Sequence, residues 1–228
     1  PQSAWGNALH HAFHYISRTI QAGYDFPEEE EVKHVAVQSL QKEQLYREEV
    51  EELEQKLDDI LPGLLAHSKS GFYRRHWAEY SFRDLYLTVD DVPITGNIDR
   101  IEYDEDQKVI TLVDFKTGKA IESWSDNQQK GKLAKFKRQL DFYGALMNEA
   151  GFWRSGWSLR GRIDFLEPND QGEYISLERE ITQQDIDFIE KLLTCIYGYI
   201  SRLDFPEITK YHKQGGVKAQ ERFLQDLL

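Results

Sequence analysis

The chain of 228 residues is 40% hydrophobic and 13% aromatic, enough to build one sizeable core and to exclude a disordered polymer. No apolar run approaches the roughly 20 residues of a membrane span, and no basic-then-apolar leader opens the chain. The net charge of −12 argues against a uniformly basic nucleic-acid coat, and Cys195, the single cysteine, excludes an internal disulfide or a multi-cysteine metal cluster.

The charge is unevenly spread. Residues 21–60 hold thirteen acidic and four basic side chains. Residues 116–138 hold seven basic ones (Lys116, Lys119, Lys130, Lys132, Lys135, Lys137 and Arg138) against Glu122 and Asp126. The local field there is positive in spite of the total. A reducing, cytoplasmic setting is the expectation from cysteine usage. The start at Pro1 rather than Met is what a piece cut from a longer polypeptide would show, and processing or cloning would leave the same trace.

In chain order, Leu9, Phe13, Ile16 and Ile20 recur at helical spacing, which predicts a helix from Ala4 to about Ile20 with Ser3 as N-cap. A second helical region is expected from Glu29 to Leu65, with Val50, Leu53, Leu57, Ile60 and Leu64 as its apolar stripe and a break or restart at Pro62. The period then falls to two: Tyr80, Phe82, Leu85 and Leu87 read as a first strand. Strands over 94–103 and 109–118, joined by an acidic turn, read as an antiparallel hairpin. A polar loop is expected over 120–131, then an amphipathic helix from Lys132 to Glu149 with Phe136, Leu140, Tyr143 and Met147 on one face. Strands over 160–166 and 174–180 follow, joined by Asn-Asp-Gln-Gly. Thr182 and Asp185 resemble a capping box that opens a last long helix to about Leu203. A tail over 204–228 is expected to be part irregular, part helical. The prediction is one α/β domain: a helical part over 1–70, a mixed-sheet core over 71–203, and the tail.

The chemistry sits in the hairpin. Strand alternation points Asp114 and Lys116 to one side and Phe115 into the opposite layer. The turn brings Asp99 level with roughly residues 111–114. Converging carboxylates repel one another unless a cation neutralises them, and hard oxygen donors suit Mg²⁺ or Mn²⁺. Each piece also has a plain structural meaning. Asp114 and Lys116 can form a surface ion pair, Asp99 and Arg100 a structural salt bridge, and His10 can be a half-buried polar residue on a helix. Gln139 and Tyr143, four apart, share a helix face whether or not they line a site. The lysines near 130–137 can be a solvated helix face or contacts to a nucleic-acid backbone. His10 and His14 flank His11 where a zinc metalloprotease motif would need glutamate, so that motif is absent.

Taken in order, Gly6-Asn-Ala-Leu-His10, Glu79-Tyr-Ser-Phe82, Gly96-Asn-Ile-Asp-Arg100, Asp114-Phe-Lys-Thr-Gly118 and Gln139-Leu-Asp-Phe-Tyr143 resemble the RecB-type branch of the PD-(D/E)xK nuclease superfamily. The resemblance implies a restriction-endonuclease-like mixed sheet flanked by helices. It also implies a divalent-metal-dependent deoxyribonuclease, an exonuclease that processes DNA ends. His10, Asp99, Asp114 and the Phe115 backbone carbonyl would hold Mg²⁺ or Mn²⁺. Lys116 would position the attacking water, Gln139 and Tyr143 would line the site, and Glu79 would serve a second metal position or orient a water. Lys119, Lys130, Lys132, Lys135, Lys137 and Arg138 would face DNA. Some relatives carry an iron–sulfur cluster on four cysteines, which this chain lacks. No Walker A sequence occurs, so a helicase motor, a frequent companion in this branch, would lie elsewhere in the polypeptide or complex. Two rival readings remain: a non-catalytic DNA-binding or scaffold module with a nuclease fold, and a metal phosphoesterase acting on RNA or nucleotides.

Overall fold

A computed structural model describes residues 1–204, 207–211 and 216–227; the rest of the expected tail lies outside the described residues. Three helices come first: α1 (Gln2–Gln21), α2 (Glu29–Gln41) and α3 (Arg47–Phe72). Then follow β1 (His76–Ser81), a small hairpin of β2 (Thr88–Val89) and β3 (Val92–Pro93), β4 (Asn97–Asp104) and β5 (Val109–Lys116). Helix α4 (Lys130–Glu149) crosses to β6 (Ser158–Phe165), and β7 (Ser176–Glu180) leads into α5 (Gln183–Arg202); α6 (Gly216–Leu227) closes the described chain.

The main sheet has the order β1-β4-β5-β6-β7, parallel only between β5 and β6. That single parallel step is the one bridged by a helix, because parallel neighbours cannot be joined by a tight turn. Two cores cover the sheet. Alternation along β5 assigns its side chains to them: Ile110 and Leu112 join Leu140, Leu146, Ile186 and Ile189 of α4 and α5. Val113 and Phe115 join Trp5, Leu9, Phe13 and Leu64 of α1 and α3. The N-terminal helices are therefore the second layer of an α/β/α arrangement, as expected for a restriction-endonuclease-like fold.

Several local expectations are corrected. Ser3 is not the cap of α1; the helix starts at Gln2, and Trp5 N–H bonds to the Pro1 carbonyl. The predicted helix over 29–65 is two helices, broken at 42–46 and not at Pro62, which lies on the exposed side inside α3. A continuous helix of that length would extend about 55 Å. Folding back lets Val32, Ala36 and Leu40 of α2 and Leu57, Leu61 and Leu64 of α3 share one core with α1. Each restart is marked by a glutamate reaching back to the backbone: Glu31 accepts from Glu28 N–H at 3.0 Å, and Glu49 from Tyr46 N–H at 2.8 Å. The first strand ends at Ser81; Leu85 belongs to a 3₁₀ turn and is 40% exposed, so the two-residue period read through Leu87 was a coincidence of spacing. The capping box is present as expected, with Thr182 N–H donating to Asp185 Oδ2 at 3.0 Å.

Close packing of α4 on the sheet depends on Gly161 of β6. A Cβ there would stand 2.8 Å from Leu140 Cδ1 and 2.9 Å from Leu140 Cβ, and the latter has no freedom to retreat. Gly161→Ala is expected to cost about 1–3 kcal/mol through overpacking, read as a lowered midpoint in urea unfolding.

Candidate active site

The site is assembled where β1 and β4 lose their regularity. Pairing runs through Ala78↔Arg100 and resumes at Tyr80↔Ile98, leaving Glu79 and Asp99 facing each other between them. Trp77 and Tyr80 stack at 5.0 Å although three residues apart, and Ile98 and Ile101 likewise share one core. Regular strand alternation would send three-apart residues to opposite faces. The switch of face falls at Glu79, whose φ of +48° is a left-handed backbone that a glutamate rarely adopts. Consequently Glu79 and Asp99 both turn toward α1, the layer in which Arg100 stacks on Phe72 of α3 at 4.4 Å.

Helix α1 presents His10 to that point. His10 Nδ1 lies 3.5 Å from Glu79 Oε1 and 3.5 Å from Asp99 Oδ1. One donor atom from each of the three residues falls within 4.8 Å of the other two. An octahedral ion with bonds of about 2.1 Å places neighbouring donors about 3 Å apart and opposite donors about 4.2 Å apart. The two 3.5 Å contacts of His10 fall between those neighbouring and opposite separations. Edge-on contact with the Phe115 ring at 5.8 Å fixes the imidazole from below.

Asp114 approaches from the other face of β5. Its Oδ1 accepts hydrogen bonds from Gln139 Nε2 at 2.6 Å and Tyr143 O–H at 2.8 Å, and Gln139 Nε2 also reaches the Tyr143 oxygen at 2.8 Å. Its Oδ2 is ion-paired with Lys116 Nζ at 2.6 Å, yet it is buried without a hydrogen bond of good geometry. Lys116 also lies over the Phe136 ring at 5.5 Å. Asp114 is therefore linked to α4 and stands outside the three-donor group of His10, Glu79 and Asp99. The two halves meet at Phe115, whose N–H donates to Asp99 Oδ2 at 2.7 Å.

The electrostatics record the crowding. Burial first, and then the charges of Asp114 and Glu79, push the Asp99 carboxyl up to about 7, against the opposing pull of His10 and the Phe115 N–H. Burial alone would lower His10, but contact with Glu79 and the charges of Asp99 and Asp114 outweigh it and raise its pKa. Tyr143 is raised by burial and by Asp114, so it stays a phenol and a hydrogen-bond donor. His10, Glu79 and Asp99 bring two carboxylates and an imidazole together as a donor set suited to a cation, and the buried, incompletely satisfied oxygen of Asp114 adds a further acceptor beside it.

The basic segment separates into two groups. Lys130, Lys132 and Lys135 are exposed along the start of α4, with Lys132 over the Phe136 and Phe165 rings at 5.6 and 5.9 Å. Arg138 is half-buried. Lys137 is drawn instead into an ion network, 2.9 Å from Asp141 and 2.6 Å from Asp185, and Lys119 pairs with Asp170 at 2.9 Å. One positioning residue gave no sequence signal: Glu167, just past β6, accepts from Trp5 Nε1 of α1 at 3.0 Å and from Gly118 N–H, and pairs with Lys56 of α3. It ties the helix bearing His10 to the loop that follows Lys116. Only the tertiary arrangement reveals it, because an isolated glutamate carries no pattern.

A family model of the PD-(D/E)XK nuclease superfamily matches residues 1–157, more than half of the chain and the whole span from His10 to Tyr143. The chain belongs to the PD-(D/E)XK nuclease superfamily. A comparison with curated proteins finds no match. Among the described residues of this nuclease-superfamily chain, no helix is long and apolar enough to cross a membrane.

The crowding has a measurable consequence in metal-free protein. The folded-state pKa of Asp99 is raised from 3.8 to about 7, so its contribution to stability is complete below about pH 4 and is lost as pH rises to about 7. The raised His10 acts in the same direction. Urea midpoints measured with a chelator are expected to fall over that range, and Asp99→Asn to flatten the decline. An unchanged pH profile in the variant would show that the Asp99 carboxyl is not raised in the folded protein.

Proposed function

We propose that the chain is a metal-dependent deoxyribonuclease that hydrolyses phosphodiester bonds in DNA and acts on DNA ends as an exonuclease, in the manner of the RecB-type branch. The observation that carries this reading is the meeting of His10, Glu79 and Asp99 beside the Asp114–Lys116 pair. His10, Glu79 and Asp99 would hold the ion with the Phe115 carbonyl, and Asp114, outside that group here, would join them through its incompletely satisfied Oδ2. A nitrogen donor among carboxylates favours Mn²⁺ over Mg²⁺, because imidazole suits ions less hard than magnesium. When bound, such an ion neutralises charge on the scissile phosphate and lowers the pKa of water.

The side chains of the protein supply the rest. Lys116 provides a fixed positive charge at the developing phosphorane and an amine that orients the attacking water. Asp114 holds that amine at 2.6 Å, and Gln139 and Tyr143 hold Asp114, so the lysine is aimed by a chain of contacts rooted in α4. Exposed Lys130, Lys132 and Lys135 offer the strand a basic approach, with Arg138 beside them; Lys119 and Lys137 would have to leave their acidic partners to join. A helicase motor in the same polypeptide or complex would feed ends to the site. This setting is cytoplasmic, without an iron–sulfur cluster. A DNA-binding module without catalysis would be expected to have lost part of the His10, Asp99, Asp114 and Lys116 set, and all four are present.

Lys116→Ala is expected to bind Mn²⁺ like the parent while cleavage of linear DNA falls about 10²–10³-fold. Calorimetric titration with Mn²⁺ and single-turnover cleavage measure the two separately. Retained cleavage would remove Lys116 from the chemistry, and loss of both would make it structural.

A further inference from the structure

We propose that the hairpin between β1 and β4 carries a stacking site for an unpaired nucleobase, with Tyr86 as its platform. The proposal rests on the nuclease reading and names the form of its substrate: a single strand, or the frayed end of a duplex.

Tyr86 is 86% exposed, although it sits in a segment anchored on both sides. Phe82 N–H bonds to the Gly96 carbonyl and Ile94 N–H to the Leu87 carbonyl, both at 2.9 Å, while Val89, Val92 and Ile94 are buried. The hairpin is thus fixed to the core, and the Tyr86 ring takes no part in fixing it. Its backbone is left-handed, with φ +52° and ψ +44°, a conformation that costs a bulky side chain energy glycine would not lose. Folding gives no account of a tyrosine here.

Binding does. Tyr86, Leu87, Pro93 and Ile94, with Arg83 at the rim, line a cavity of about 390 Å³. An aromatic ring and an apolar wall accept the face of any base, and an exposed guanidinium beside them suits the attached phosphate. The hairpin continues the same strand ends that carry Glu79 and Asp99. Ile94 lies five residues from Asp99, at most roughly 17 Å along the chain, which is the rise of about five stacked nucleotides. A base within a duplex already has both faces covered, so this platform selects an unpaired one. Its position along the strand from the metal-binding carboxylates would place the scissile phosphate a few nucleotides away.

The test uses the intact chain with Ca²⁺ in place of the catalytic ion and short single-stranded oligonucleotides containing fluorescent aminopurine. The parent should bind and quench the fluorophore. Tyr86→Ala and Tyr86→Gly should weaken binding roughly 5- to 100-fold, whereas Tyr86→Phe and Tyr86→Trp retain it. An oligonucleotide abasic at the stacked position should bind the parent and Tyr86→Ala alike. Glycine relieves the left-handed strain, so Tyr86→Gly should unfold no earlier than the parent, and its loss of binding is not a loss of fold. Equal affinity of the parent, Tyr86→Ala and Tyr86→Gly for single strands overturns the platform and leaves the nuclease reading intact, as does equal weakening on duplex DNA without ends. A parent that takes up neither Mn²⁺ nor DNA overturns the nuclease reading itself.

Discussion

Holding the acids Glu79, Asp99 and Asp114 close together in a partly buried place is the constraint around which this protein is organised. Burial, with the neighbouring charges of Asp114 and Glu79, raises the Asp99 carboxyl, and the fold holds the groups in place against that cost. Rigid elements on both faces of the sheet make this possible. Helix α1 supplies an imidazole from one side, α4 supplies an amide and a phenol from the other, and β5 contributes the backbone N–H that joins the halves. In the proposed reading, a cation would turn this costly arrangement into a binding site beside the scissile phosphodiester.

One departure from regularity lies at the site itself. The left-handed Glu79 switches the face of two paired strands, and without that switch Glu79 would point into the aromatic cluster of Trp77, Tyr80 and Phe82. The strain is local and offset by the packing of those rings in the α4 core and by Arg100 on Phe72 in the α1 core. Tyr86, left-handed as well, lies on the hairpin that extends from these strands. Asp90, Asp91, Lys108 and Leu203 are left-handed too, but at turns and a helix end where the chain reverses, whereas Glu79 is left-handed within a strand.

The ion networks elsewhere do different work. Arg162 takes both carboxylate oxygens of Glu102 at 2.7 and 3.0 Å, and Arg179 joins Asp141 to Asp185 while Lys137 bridges the same two acids. These pairs, whose Glu102 and Asp141 are buried, lock β4 to β6 and α4 to β7 and α5, fixing the frame on which the site is held. Breaking one partner would leave an uncompensated charge in the interior, which is why such networks behave as structural units.

The amino-acid order alone determined which strands carry the acids and which helix follows them. Alternation in Val109–Lys116 assigns Asp114 and Lys116 to one face, and the Thr182–Asp185 cap marks the start of α5, because both depend on residues near one another in the chain. The fold-back of α2 on α3, the early end of β1 and the face switch at Glu79 were not legible, since each is decided by what packs opposite. The same holds for the site: the motifs name His10, Asp99 and Asp114, but only the tertiary structure decides that Glu79 joins His10 and Asp99 while Asp114 turns to Gln139 and Tyr143. Local pattern sets the identity of a side chain and its nominal face; the direction it finally takes is set by neighbours that are distant in sequence and close in space.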